Sequence, residues 1–183
     1  MPATLASLHE LLIDELRDLY SAETQLVHAL PKMAKAASNR ELKKGFTHHL
    51  TQTRGHVRRI ERAMKLLRAS PRGKTCEAMK GLIKEGAEAI QAKGPAAVRD
   101  ANLIGAAQRV EHYEMAAYGA TRAFAEKLVQ DQVAALLQLT LDEEGATNKK
   151  LVEIAETVND DAFLATNRRE VVPETMRRPS LTL

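Results

Sequence analysis

The chain has 183 residues, enough for one domain with its own core. Its supply of Ala, Leu, Glu, Lys, Arg and Gln, with nine Gly and no Trp, favours helices and argues against a sheet protein. A formal charge of +3 is too slight to point to nucleic acid, which needs a clustered basic face, and the single Cys76 cannot close an internal disulfide.

A first amphipathic helix is expected from about Thr4 to Ala37, with Leu12, Leu16, Leu19, Leu26, Leu30 and Met33 at helical spacing. Glu10, Asp14, Glu15, Arg17 and Asp18 interrupt it, so it is too polar to cross a bilayer. With no leader ahead of it and an unpaired cysteine, a cytoplasmic protein with no membrane partner is expected. Glu23 fills the gap in the apolar stripe, and Pro31, which lacks a backbone donor, is placed to kink the helix.

Ser38 and Glu41 read as a capping box for a second helix that runs to about Ala69. Its inward residues are expected to be Phe46, Leu50, Thr53, Val57, Ile60, Met64 and Leu67, with His49, Gln52 and His56 on or beside the stripe. Ser70-Pro71-Arg72-Gly73 ends it, and residues from about 70 to 94 form a crossover carrying a short helix over Cys76 to Gln91. The run of arginines at Arg54, Arg58, Arg59, Arg62 and Arg68 reads as a solvated face.

Gly94-Pro95 opens the third long helix, with Pro95 at its first position, and this helix should reach about Leu128. Its stripe runs Leu103, Ala107, Val110, then Ala117, Thr121, Phe124 and Leu128; the missing position is Glu114, with Glu111 one turn earlier on the same side. Burying a carboxylate without a partner is costly, so two of them facing inward imply a compensating cation. Tyr118, one turn on, is placed either to hydrogen-bond a carboxylate or simply to pack.

The last helix is expected from about Asp131 to Val158, with Val133, Leu136 or Leu137, Thr140, Thr147, Leu151 and Ile154 inward and Glu143 or Glu144 at mid-stripe. Residues 1–160 thus form one bundle, and residues 161–183 read as a tail, flexible or partner-docked.

A weak internal repeat joins the halves. Glu23 precedes Gln52 by 29 positions and Glu114 precedes Glu143 by the same 29, while His49 to Thr53 aligns with Thr140 to Glu144. Two helical hairpins joined by one long crossover make an antiparallel, ferritin-like four-helix bundle. The repeat favours Glu143 over Glu144 as the inward acid. Glu23, Glu111, Glu114 and Glu143, with the His49/Gln52/His56 set, should then meet at one level of the core. Four carboxylates balance two divalent ions, and oxygen with imidazole suits iron or manganese, so a di-metal centre satisfies charge and burial together. His49 and His56, about 10.5 Å apart along the helix, are not expected to bind the same ion.

Several segments resemble the YciE/YciF family of ferritin-like, stress-associated bacterial proteins. They are Asp18 to Glu23, His49-Leu50 with Thr53, Cys76 to Met79 with Gly81 to Ile83, Arg99-Asp100, Val110 to Glu114 with Tyr118, and Thr140 to Glu144, in order over roughly residues 5 to 158. The resemblance implies a homodimer, distantly similar to rubrerythrin and bacterioferritin. It also implies stress protection through iron binding or through consumption of peroxide or oxygen.

Rubrerythrin-like centres take a Glu from the first helix, Glu-x-x-His from the second, Glu-x-x-Glu from the third and Glu-x-x-His from the fourth. Glu23, Glu111 with Glu114, and Glu143 match; Gln52-x-x-Gly55 and Ala146 depart from it. Gln52 stands where the family commonly carries Glu. An amide oxygen can bind one ion but cannot bridge two, so one position is expected to be weak, empty, or completed by His49 or water. The alternative is a non-catalytic structural or interaction homodimer induced by stress, with a vestigial or stabilising metal site.

Overall fold

Helix α1 (Leu8–Ala36) buries Leu12, Leu16, Leu19, Glu23, Leu26, Leu30 and Met33, an alternation of four- and three-residue steps that keeps one face inward. It continues through Pro31, which sits on the exposed side. This is a computed structural model describing residues 5–167 of the chain, and among these it contains α2 (Arg40–Leu66), α3 (Glu77–Gln91), α4 (Ala96–Lys127) and α5 (Asp131–Asn167), with no strand.

The fold is the expected one: an all-α, ferritin-like bundle of four long antiparallel helices, with α3 carried on the crossover between α2 and α4. The hairpins are α1/α2 and α4/α5. They join through α1 against α4 and α2 against α5, and α3 lies on α1 and α4.

Two helix starts differ from the reading of the sequence. The cap of α2 is Asn39, whose Oδ1 accepts from the N–H groups of Glu41 (2.9 Å) and Leu42 (3.0 Å). Ser38 is instead held from outside the helix, because the Asp100 carboxylate accepts from the backbone N–H groups of Ser38 (2.9 Å) and Asn39 (2.6 Å). Pro95 occupies the cap of α4 rather than its first turn, its extended ψ of 144° keeping it outside the helix. At the other end, α5 runs past Val158 to Asn167, and the remainder of the expected tail lies outside the described residues.

Asp100 is buried, so Asp100→Ala removes the acceptor for two N–H groups at the α1–α2 corner. The expected loss is about 1–3 kcal/mol, read as a lower midpoint in urea with an unchanged slope. A midpoint equal to that of wild type would mean that water serves these donors as well.

The core is divided. One apolar cluster holds Leu26, Leu30 and Met33 with Leu42 and Phe46, Leu103 to Val110, and Leu151 to Val158, joined by Met79 and Ala89 of α3. The other holds Leu12, Leu16 and Leu19 with Ile60, Ala63 and Met64, Tyr118 and Ala125, and Val133 to Leu137. Late α1 therefore meets early α4, and early α2 meets late α5, as antiparallel neighbours must. Between the clusters lies a layer of buried polar residues: Glu23, His49, Thr53, His56, Glu111, Glu114, Thr140 and Glu144.

The crossover is tied down beside this layer. Cys76 donates its N–H to Ser21 Oγ (2.9 Å) and accepts from Gln25 Nε2 at its carbonyl (3.1 Å), while Tyr113 donates to Asp18 (2.6 Å).

Candidate metal centre

Glu23, His49, Glu111 and Glu114 come together as the sequence suggested, each no more than 2% exposed. The inward acid of α5 is Glu144 at 0% side-chain exposure, whereas Glu143 is 31% exposed and turned outward. Adjacent helical positions point about 100° apart, so only one of them can face the core. Gln52 is likewise half-buried and at the margin beside His49, and the inward residue next to it is Thr53. The internal repeat keeps the alignment of Gln52 with Glu143, but the inward position in each half is the next residue, Thr53 and Glu144. The offset that carries Glu23 onto Glu114 carries Thr53 onto Glu144 and His56 onto Thr147. Each half then keeps one member of a Glu-x-x-His pair: α2 has Thr53-x-x-His56 and α5 has Glu144-x-x-Thr147.

The donor atoms fall into two groups that share Glu144. His49, Glu111, Glu114 and Glu144 form one, and Glu23, His56 and Glu144 form the other, each with its atoms within 4.8 Å of one another. His56 Nδ1 lies 3.0 Å from Glu144 and 3.3 Å from Glu23, while His49 Nε2 lies 3.5 Å from Glu111 and 3.6 Å from Glu144. His56 is fully buried between acids of two helices, Glu23 of α1 and Glu143 and Glu144 of α5, and so belongs to the inward set.

Both imidazoles present their inner nitrogen to the carboxylates and have the outer one engaged. His56 Nε2 is 2.7 Å from Glu143, which is itself gripped by Arg59 through bonds of 2.7 and 2.8 Å. Thr147 donates its hydroxyl to the Glu143 carbonyl (2.9 Å), so its contact of 3.3 Å with His49 Nδ1 has the ring donating. That tautomer leaves the His49 Nε2 lone pair facing Glu111 and Glu144. Tyr118 donates to Glu23 Oε1 at 2.5 Å, which decides its role in favour of the carboxylate bond.

Burial, then repulsion from neighbouring acids, pushes the Glu111 and Glu114 carboxyls well above the usual range, and burial raises Glu23 as well. Burial opposes charge on His56, but its contacts with Glu144 and Glu23 outweigh this and hold its imidazole at about 10. The Arg59 guanidinium, helped by His56, holds Glu143 down at about 2.

A bound cation fits this donor set. Both oxygens of Glu114, and Glu23 Oε2, Glu111 Oε2, Glu144 Oε2 and His49 Nε2, are buried without a hydrogen-bond partner. Such atoms are rare in folded proteins unless something unseen satisfies them. Oxygen and imidazole donors with engaged outer atoms are the pattern of metal ligands and their supports.

Glu143 therefore orients rather than faces the centre, and Glu143→Ala is expected to weaken metal binding about 10–100-fold without abolishing it. Competition against a chromophoric chelator would read this, and complete loss of binding would make Glu143 a direct donor.

A four-helix bundle with a buried carboxylate and histidine centre is a ferritin-like protein. Residues 7–163 match the family described as Domain of unknown function (DUF892), and the chain belongs to that family. It is 43% identical over 157 residues to Protein YciF of Escherichia coli (strain K12), spanning 82% of this chain and 92% of that one. The crystal structure of the E. coli stress protein YciF superposes with a TM-score of 0.83 at 41% identity, over 85% of this chain and 99% of that one. YcfI of Rhodopseudomonas palustris, to which a structural role has been ascribed, gives 0.79 at 41% identity over 82% and 96%. A protein of Xanthomonas campestris shares the fold, with a TM-score of 0.69 at 20% identity over 90% and 100%.

Proposed function

We propose that this protein binds two first-row metal ions, iron or manganese, between Glu23, His49, His56, Glu111, Glu114 and Glu144, and protects the cell under stress by holding iron and consuming peroxide or oxygen there. The observation that carries the reading is the set of buried, unpartnered donor atoms in two groups hinged on one carboxylate. Bound there, such ions would supply redox chemistry toward an oxidant, while the chain supplies position and insulation. Glu23 and Tyr118 keep one edge ordered, Arg59 and Glu143 fix His56, and the apolar clusters close the bundle above and below the centre.

The reading extends to a cytoplasmic homodimer; no helix among the described residues is long and apolar enough to cross a membrane. Light scattering on the purified chain tests the dimer.

The test of the centre is metal analysis of protein purified without chelator, combined with anomalous diffraction at the iron edge. Density between Glu144 and the two histidines is expected, and its absence from iron- and manganese-treated crystals would sink the reading.

A second reading, a structural or interaction homodimer, is favoured by Thr53 and Thr147, which stand where a complete Glu-x-x-His pair would have Glu and His. The structural role ascribed to the R. palustris relative points the same way. Consumption of oxygen or peroxide after anaerobic loading with Fe(II) separates the two: loading without turnover supports the structural role.

A further inference from the structure

Two cavities converge on the centre, and their linings differ. One, of about 80 Å³, lies between α1, α3 and α4 and is walled by residues such as Leu30, Met33, Ile83, Ala107 and Val110. Apart from Lys32, its ionisable lining is His49 and Glu111, both donors of the candidate centre. The other, of about 380 Å³, lies between α2 and α5; its rim carries Glu41, Lys44, His48 and Lys150, and it reaches the same His49 and Glu111 past Gln52 and Thr147. Phe46 borders both.

Water and hydrated ions suit the second cavity, where charged groups can replace their hydration. They do not suit the first, whose walls offer almost no hydrogen bonds. An apolar cavity of about 150 Å³ stays dry and takes benzene or xenon. At about 80 Å³ the first is smaller, with ample room for a diatomic gas. His49 and Glu111, both in its lining, keep Nε2 and Oε2 buried without hydrogen-bond partners.

We propose that the α1/α3/α4 cavity is a binding site for molecular oxygen, seated against the His49 and Glu111 edge of the centre. Its use rests on the metal reading above; the binding of gas does not. Oxygen would then reach the centre from the α3 side, past a lining with fewer charged residues than that of the cavity between α2 and α5. Helix α3 thereby has a role besides spanning the bundle, because Ile83 and Gly86 close the outer wall of the oxygen site.

Crystals of the full chain pressurised with xenon test this directly. A xenon peak is expected among Leu30, Met33 and Val110, with none in the α2/α5 cavity. Ala107→Leu and Gly86→Leu fill the site from opposite walls, and neither residue is a candidate ligand. A Cβ on Gly86 meets only Met33 Sδ at 3.8 Å, an ordinary contact, so the space beyond is open to a side chain. Each variant should lose the xenon peak with its metal content unchanged. Each should also slow oxidation of bound Fe(II) by oxygen at least tenfold while leaving oxidation by peroxide at the wild-type rate. Absence of xenon from the wild-type cavity overturns the proposal, as does an unaltered oxygen rate in both variants once the peak is lost. A chain that takes xenon but never binds iron would refute the metal reading instead and leave the gas site standing.

Discussion

Glu144→Ala is expected to strip metal from both donor groups at once. Its carboxylate belongs to each of them, whereas Glu23 and His56 serve one and His49, Glu111 and Glu114 the other. The loss should exceed the 10–100-fold weakening typical of an orienting neighbour by a wide margin. Metal content of protein purified without chelator should fall to near zero in Glu144→Ala and only partly in Glu23→Ala. Helical content should persist, since the apolar clusters on either side are untouched. Full metal content in Glu144→Ala, with loss in Glu143→Ala, would reverse the roles assigned to the two neighbours.

Glu114→Leu should act with opposite signs on the two forms of the protein. Neither oxygen of Glu114 has a hydrogen-bond partner, and the nearest charges, Glu23, Glu144 and Glu111, repel it. In metal-free protein, replacing this carboxyl with hydrocarbon relieves an unpaired buried polar group, a gain of about 1–3 kcal/mol. For a chain of this length that raises the melting temperature by about 2–4 °C per kcal/mol. With metal present the order inverts, because the variant forgoes linkage stabilisation of about 4.1 kcal/mol at a free metal concentration about one thousand times Kd, more than it gains without metal. Melting curves with chelator and with added Fe(II) or Mn(II), recorded anaerobically, measure both signs. A metal-free variant that melts below wild type would mean that Glu114 is satisfied in a way its surroundings do not suggest.

The helices, the crossover and the polar level of the core were legible in the sequence because each rests on a pattern many residues long. Glu23 in α1 is the clearest instance: six apolar neighbours at steps of three and four define its face. The choice between Glu143 and Glu144 was not legible from the repeat, which matches Gln52 with Glu143 and Thr53 with Glu144 equally well. A signal was nevertheless present. Leu137, Thr140, Glu144, Thr147, Leu151 and Ile154 follow the same alternation of three and four, as do Leu42, Phe46, His49, Thr53, His56, Ile60 and Ala63 in α2. Thr53, Thr140 and Thr147 read as inward from these stripes, and carrying their step of four from Thr140 sets the phase at Glu144; in the sequence alone the repeat takes more weight than that step. The roles of Arg59 and Thr147 depend on contacts between α2 and α5, which no local pattern encodes.

Because hydrocarbon packing is concentrated at the two ends of the bundle, the chemistry at its waist can drift without endangering the scaffold. Swapping Thr53 for Glu, or Thr147 for His, alters what the molecule can hold while Leu16, Ile60 and Leu103 go on gripping the helices. Architectures of this type are therefore free to diversify, gaining or shedding reactivity through a handful of codons while the outward form stays the same.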